Sequence, residues 1–190
     1  MRASARPYIF ALCVANALML TAGCTSAKHK TETVSPVPQI TASNVDDQAV
    51  ADATAALYRF YQVRYQCFAT PQDVDSSCFD SVAVDQMLAD DRATLENLQL
   101  EGWHSEGDVE VLSVDVVEIY PDSSFPQVRL AACVDRRTWR YVDDSGTPLV
   151  AEEDLPSTPR RIIWQLINYE YPSADQWKVS YRPEEESVPC

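Results

Sequence analysis

The residue periodicity of this chain changes once, near Gly107, and that change restricts the fold more than any other feature. From Asp46 to Phe68, apolar residues fall at Val50, Ala53, Leu57, Phe60, Tyr61 and Phe68, close to the spacing of an amphipathic helix. Asn44 to Asp47 supplies capping side chains and acids suited to a helix start. Thr70-Pro71-Gln72-Asp73 predicts a second start, with proline tolerated at the first helical position. Val84, Met87, Leu88, Leu95 and Leu98 continue the period with a break near Asp90, and Gly102 marks a stop. Beyond Gly107 the pattern is that of strands. Val109 to Tyr120 is rich in β-branched residues and runs into the turn residues Pro121-Asp122-Ser123-Ser124. Val128, Leu130, Ala132 and Val134 then alternate with Arg129, Ala131, Cys133 and Asp135, as in a half-buried strand. Thr138 to Val142, Arg161 to Tyr171 and Gln176 to Tyr181 read as further strands. Helices followed by four to six antiparallel strands predict an α+β domain, with N-terminal helices packed on one face of a curved sheet.

The first 45 residues obey neither pattern. Arg2 and Arg6 precede Tyr8 to Leu20, a run of 13 residues that is apolar except for Asn16. As a helix it spans roughly 20 Å at 1.5 Å per residue, short of a hydrocarbon core of about 30 Å. A positive start, a short apolar run and small residues at its end are the marks of a secretory signal. Leu20-Thr21-Ala22-Gly23-Cys24 resembles the lipobox of bacterial lipoproteins, although Leu stands one position earlier than in the usual pattern. The resemblance implies cleavage after residue 23 and a lipidated Cys24, on the extracytoplasmic face of the cell membrane. Thr25 to Asn44 is polar, contains Pro36 and Pro38, and sustains no period, so residues 24–45 read as a lipidated Cys and disordered tether. Residues 46–190 suffice for a single domain with a C-terminal tail.

Charge excludes some partners. Loss of residues 1–23 removes two of the 15 basic residues and none of the 29 acids, leaving a formal charge of −16. Nucleic-acid binding needs a Lys/Arg surface that releases counterions, so no nucleic-acid partner is expected. Nor is there a polybasic membrane patch, which leaves anchoring to the lipid.

With Cys13 in the discarded segment and Cys24 lipidated, Cys67, Cys78, Cys133 and Cys190 remain. Four thiols in an exported chain are read first as two disulfides, for which three pairings exist. Cys67–Cys78 and Cys133–Cys190 are favoured. The first pair closes a short connection between helices. In the second, Cys133 faces away from the apolar set of its strand, where the chain's last residue could meet it. No CxxC or Cys/His spacing suggests a metal or a redox pair, so neither metal nor cofactor is expected.

Ala56-Leu57-Tyr58-Arg59-Phe60-Tyr61 on the first helix, the strand ending Ala132-Cys133-Val134-Asp135, and the last strand with Trp177-Lys178-Val179 together resemble the nuclear-transport-factor-2-like (cystatin-like, SnoaL-like) cone, found in many actinobacterial lipoproteins. The resemblance implies a cone-shaped fold over about residues 46–182. Cones of this type often hold a pocket, and some relatives are isomerases or dehydratases. Such chemistry needs an Asp or His base in an apolar pocket beside a Tyr or acid. Asp115, Asp135, His104, Tyr58, Tyr61 and Tyr65 are the candidates, but no base and stabiliser converge in the sequence. No catalytic residue is therefore assigned. The expected function is a non-enzymatic binding module for a protein partner or a small apolar ligand. The alternatives are a pocket enzyme or a component of an envelope or conjugation assembly. A pocket filled by Trp164 and Leu166 would weaken both the enzyme and the small-ligand readings.

Overall fold

The computed structural model describes residues 42–120, 123–182 and 185–190. The expected signal segment, Cys24 and the tether up to residue 41 lie outside the described residues. Two helices come first. Helix α1 (Ala42–Ala69) turns Ala49, Ala53, Ala56, Leu57, Phe60 and Phe68 into the core. Ala49, Ala53, Ala56 or Leu57, and Phe60 recur every three or four residues, and Phe68 lies two turns further on, so one stripe of the helix is buried. Helix α1 starts slightly before the expected cap at Asn44, because no Pro or Gly between residues 39 and 45 stops it.

The expected helix start at Pro71 forms only a 3-10 turn (Pro71–Asp73), followed by a second 3-10 turn (Ser76–Phe79). Asp75 between them is extended and its side chain accepts the Ser77 N–H at 2.8 Å, which ends one turn and caps the next. The Cys67–Cys78 disulfide, with Cα atoms 6.6 Å apart, ties the end of α1 to the second turn. Helix α2 (Asp85–Glu101) is then continuous through Asp90. It ends where Gly102 takes a left-handed conformation (φ 69°) and its N–H returns to Leu98 O.

Among the described residues seven strands follow: β1 (Trp103–Glu106), β2 (Glu110–Tyr120), β3 (Gln127–Asp135), β4 (Arg140–Asp143), β5 (Arg160–Asn168), β6 (Trp177–Tyr181) and β7 (Glu185–Pro189). All named strand pairs are antiparallel. Five strands form one sheet in the order β2-β3-β5-β6, with β7 joining β6 along the far edge of β5, while β1 and β4 form a separate ribbon. The α+β class read from the sequence is the observed one. Two strands went unread. Trp-His-Ser-Glu in β1 has no apolar alternation and pairs through its backbone with β4. Strand β7 lies in the segment read as a C-terminal tail, and the Cys133–Cys190 disulfide holds the residue after it (Cα–Cα 5.9 Å).

Strand β2 carries an extra residue at Leu112 and another at Val117 relative to β3, and such bulges bend and twist a strand. In the register of the central pair, Leu130 stands opposite Trp164, Ala132 opposite Ile162 and Val128 opposite Leu166. These six residues form the inner layer of the sheet under the helices, all of them buried. Full burial of a side chain such as Phe60 or Leu166 contributes roughly 1.5–3 kcal/mol. Among the described residues, no helix is long and apolar enough to cross a membrane.

Candidate functional site

Trp164 and Leu166 are 1% and 0% exposed and fill the space between helices and sheet where a central pocket would lie. Two small clefts remain among the described residues, one of about 50 Å³ beside Ala49, Ile119 and Trp177 and, at the other end, one of about 40 Å³ between the second half of α1 and the sheet. A buried water requires roughly 10–15 Å³, so the latter has room for a group of only a few heavy atoms.

Helix α1 presents Tyr61, Arg64, Tyr65 and Phe68 to this cleft, at the i, i+3, i+4, i+7 positions of one helical face. From the sheet come Val134, Ile162 and Trp164, and beyond the strand ends Trp139, Arg136 and Arg182. The wall therefore holds three guanidinium groups. Among the described residues no carboxylate lines it, in a chain with 29 acids and 15 bases. A larger open hollow of about 570 Å³ beside Arg137 and Arg140 also carries Glu106, Glu152 and Glu153, which offset its charge.

Arg64 is held from behind. Its Nε donates to Asp91 Oδ1 at 2.7 Å, and its guanidinium carbon lies 5.0 Å from the Phe68 ring centroid and 5.8 Å from that of Phe60. Asp91 sits on α2 between Met87 and Leu95, at the core positions of that helix, and is fully buried. Its second oxygen, Oδ2, has no hydrogen-bond partner among the described residues. Burial accordingly pushes the Asp91 carboxyl above the ordinary aspartate range, with the Arg64 charge pulling it back.

The two tyrosines differ in what they have left to offer. Tyr65 spends its hydroxyl on Gly107 O at 2.6 Å, which ties the β1–β2 connection to α1. Gly107 has φ +84°, and a Cβ there would fall 2.0 Å from Thr138 O, so only glycine fits that approach. Tyr61 instead accepts the Trp164 Nε1–H at 3.0 Å, keeping its own proton for another partner. Burial raises the Tyr61 phenol above its usual value, and Arg64, Arg136 and Arg182 all oppose that shift, so the three cations converge on one hydroxyl. Edge-to-face contacts of Trp164 with Phe60 (5.2 Å) and Tyr61 (5.6 Å) fix these rings.

Of the six catalytic candidates read from sequence, Tyr61 and Tyr65 line this cleft and the other four do not. Asp115 is exposed on β2, and Tyr58 is 41% exposed on α1. His104 lies on β1, 3.6 Å from Glu106. Asp135 is clasped by Arg137, whose hydrogen bonds hold its carboxyl below the usual range. The structure does not gather these candidates at one place. Arg64 and Asp91 went unread, although a charged residue in register with Met87 and Leu95 was a visible signal. Among the described residues, no group of three or more His, Cys, Asp or Glu side chains could hold a metal ion.

The architecture defines an α+β domain with two helices on a curved antiparallel sheet and a small arginine-rich cleft at one end. No protein-family model and no characterised protein matches the chain. Among solved structures, the intermembrane space region of the chloroplast protein ARC6 is similar at 14% identity and a TM-score of 0.46, over 79% of this chain and 100% of that one.

Proposed function

We propose that this chain is a bacterial lipoprotein with a nuclear-transport-factor-2-like domain. Cys24 anchors it to the extracytoplasmic face of the cell membrane, and the domain acts as a non-enzymatic binding module on a tether. The observation that carries the binding reading is the filled interior. With Trp164 and Leu166 occupying the middle of the domain, the 40 Å³ cleft at its end suits one small group better than a substrate with its base and stabiliser. The Cys67–Cys78 and Cys133–Cys190 disulfides support export, because such bonds persist in oxidising compartments. A protein partner fits this reading better than a bulky apolar ligand.

Metabolic labelling with a fatty acid tests the anchor. Wild type should take up label and Cys24→Ser should not; equal labelling of the two would refute the anchor. Crosslinking on intact membranes, followed by identification of the adducts, tests the binding role. A discrete adduct is expected, and its absence under conditions that capture known membrane assemblies would count against a protein partner.

A further inference from the structure

We propose that the cleft between α1 and the sheet is a carboxylate-binding site in which Arg64, Arg182 and the Tyr61 hydroxyl are the donors. The inference rests on the binding-module reading and names the chemistry of its ligand. Charge distribution is the first argument. Acids outnumber bases almost two to one in the chain, yet among the described residues Arg64 and Arg182 line this wall and no carboxylate does.

The second argument is which donors are already used. Arg64 gives Nε to Asp91, none of the described residues takes its terminal N–H groups, and Asp91 fixes the plane in which they point. Asp91 is thus a positioning residue for the site. Arg182 donates to no carboxylate among the described residues and sits exposed at the rim. Tyr61 accepts from Trp164 and retains its proton. Forked guanidinium donors and a phenol O–H match the lone pairs of a planar carboxylate. Tyr65 and Trp164 contribute shape, since their polar hydrogens are committed elsewhere.

Size and polarity narrow the ligand further. Phe68, Val109, Val134 and Ile162 form the apolar part of the wall. They accommodate a short alkyl stem, and they penalise a doubly charged tetrahedral ion, whose desolvation costs more than that of a single charge. The expected ligand is a carboxylate on a stem of a few carbons. It is either a free short-chain acid or the glutamate side chain of a docked peptide.

Titration of the mature domain, followed by the indole N–H resonances of Trp139 and Trp164, tests the assignment. The probes are butyrate, its neutral isostere butyramide, inorganic phosphate, and a blocked tetrapeptide carrying Glu or Gln. Butyrate or the Glu peptide should shift both resonances saturably, with butyramide and the Gln peptide inert. Tighter binding of the Glu peptide than of butyrate assigns the carboxylate to a peptide; the reverse assigns it to a free acid. Arg182→Gln should weaken binding roughly tenfold, as for loss of a hydrogen bond to a charged group, while leaving the melting temperature unchanged. Tyr61→Phe should weaken it less. The proposal is overturned if no carboxylate shifts the resonances, if butyramide or phosphate binds as tightly as butyrate, or if Arg182→Gln binds like wild type. If the titration fails while membrane crosslinking still yields an adduct, the binding module stands and only its ligand chemistry falls.

Discussion

Two carboxylate–guanidinium pairs in this molecule differ in almost everything except their chemistry. Asp135 and Arg137 lie at the end of β3, joined by several contacts from Arg137 Nε and Nη2, the shortest 2.6 Å, and the Arg137 side chain is 55% exposed. Arg64 and Asp91 join α1 to α2 by one contact of 2.7 Å, with Asp91 fully buried. The better-bonded pair lowers its carboxyl's pKa; the buried pair has its carboxyl raised. Burial, not the number of hydrogen bonds, sets the difference. Water already solvates both partners of the exposed pair, so their contact replaces good interactions with similar ones. Asp91 has given up water on both oxygens and recovered a partner on only one.

The largest expected effect follows from breaking the buried pair. Asp91→Ala leaves the Arg64 guanidinium, 23% exposed at the cleft, without its carboxylate and should destabilise the domain by about 3 kcal/mol, read from urea unfolding. Arg64→Met together with Asp91→Leu should recover most of that loss, because an apolar pair of similar volume has no desolvation penalty. The double variant should nevertheless lose carboxylate binding at the cleft. A single Asp91→Ala variant as stable as wild type would mean that the pair is effectively solvated, and the contrast with Asp135 would collapse.

The same pair shows where the sequence was legible and where it was not. Helices before Gly107 and strands after it could be read because the stripe Ala53, Leu57, Phe60 and the alternation Val128, Leu130, Ala132, Val134 report burial directly. Cys133 could be placed on the outer face by the same alternation, and it is there that Cys190 meets it. Asp91 defeated that logic, since a period search counts a charge as an interruption. The expected break near Asp90 is in fact an unbroken helix with an acid in its core stripe. The cleft itself was half visible. Tyr61 and Tyr65 lie on a recognisable helical face, but Arg136 and Arg182 reach it from strand ends about 45 residues apart in the chain, a convergence that only the β3–β5–β6 topology creates.

An intermediate effect distinguishes the pairs by pH. The folded-state pKa of Asp91 is raised, so the native protein holds a proton that the unfolded chain releases above the ordinary aspartate value of about 3.9. Its contribution to stability therefore falls as pH rises from about 4 through the raised value, and is constant beyond it. Asp135 has the opposite sign. Its folded pKa is lowered, so its contribution is complete above about pH 4 and is lost as pH falls through the lowered value. Unfolding free energy measured against pH should thus show wild type losing ground to Asp91→Asn on going from pH 4 to 7. The difference between wild type and Asp135→Asn should instead shrink below pH 4. Parallel curves for wild type and Asp91→Asn would show that Asp91 is ionised in both states and that its Arg64 contact outweighs burial.

The smallest expected effect is the most exacting for the comparison. Arg137→Ala removes the contacts that Arg137 Nε and Nη2 make with the Asp135 carboxylate, including the short one, yet Asp135 keeps access to solvent. The urea midpoint should not move measurably, because ordering a long exposed side chain opposes the Coulomb attraction it gains and salt screens what is left. The hydrogen bond from the Arg137 backbone N–H to Asp135 Oδ1, at 3.1 Å, survives the substitution and keeps the turn after β3 in place. Repeating the measurement at low salt sharpens the point. A small stabilising contribution of Arg137 that emerges only there fits a solvated pair, whereas a salt-independent loss would mean that the turn next to Arg136 depends on it. In that case Arg137 would belong to the support of the cleft, and the line between the buried and exposed pairs would have to be redrawn around the β3–β4 turn.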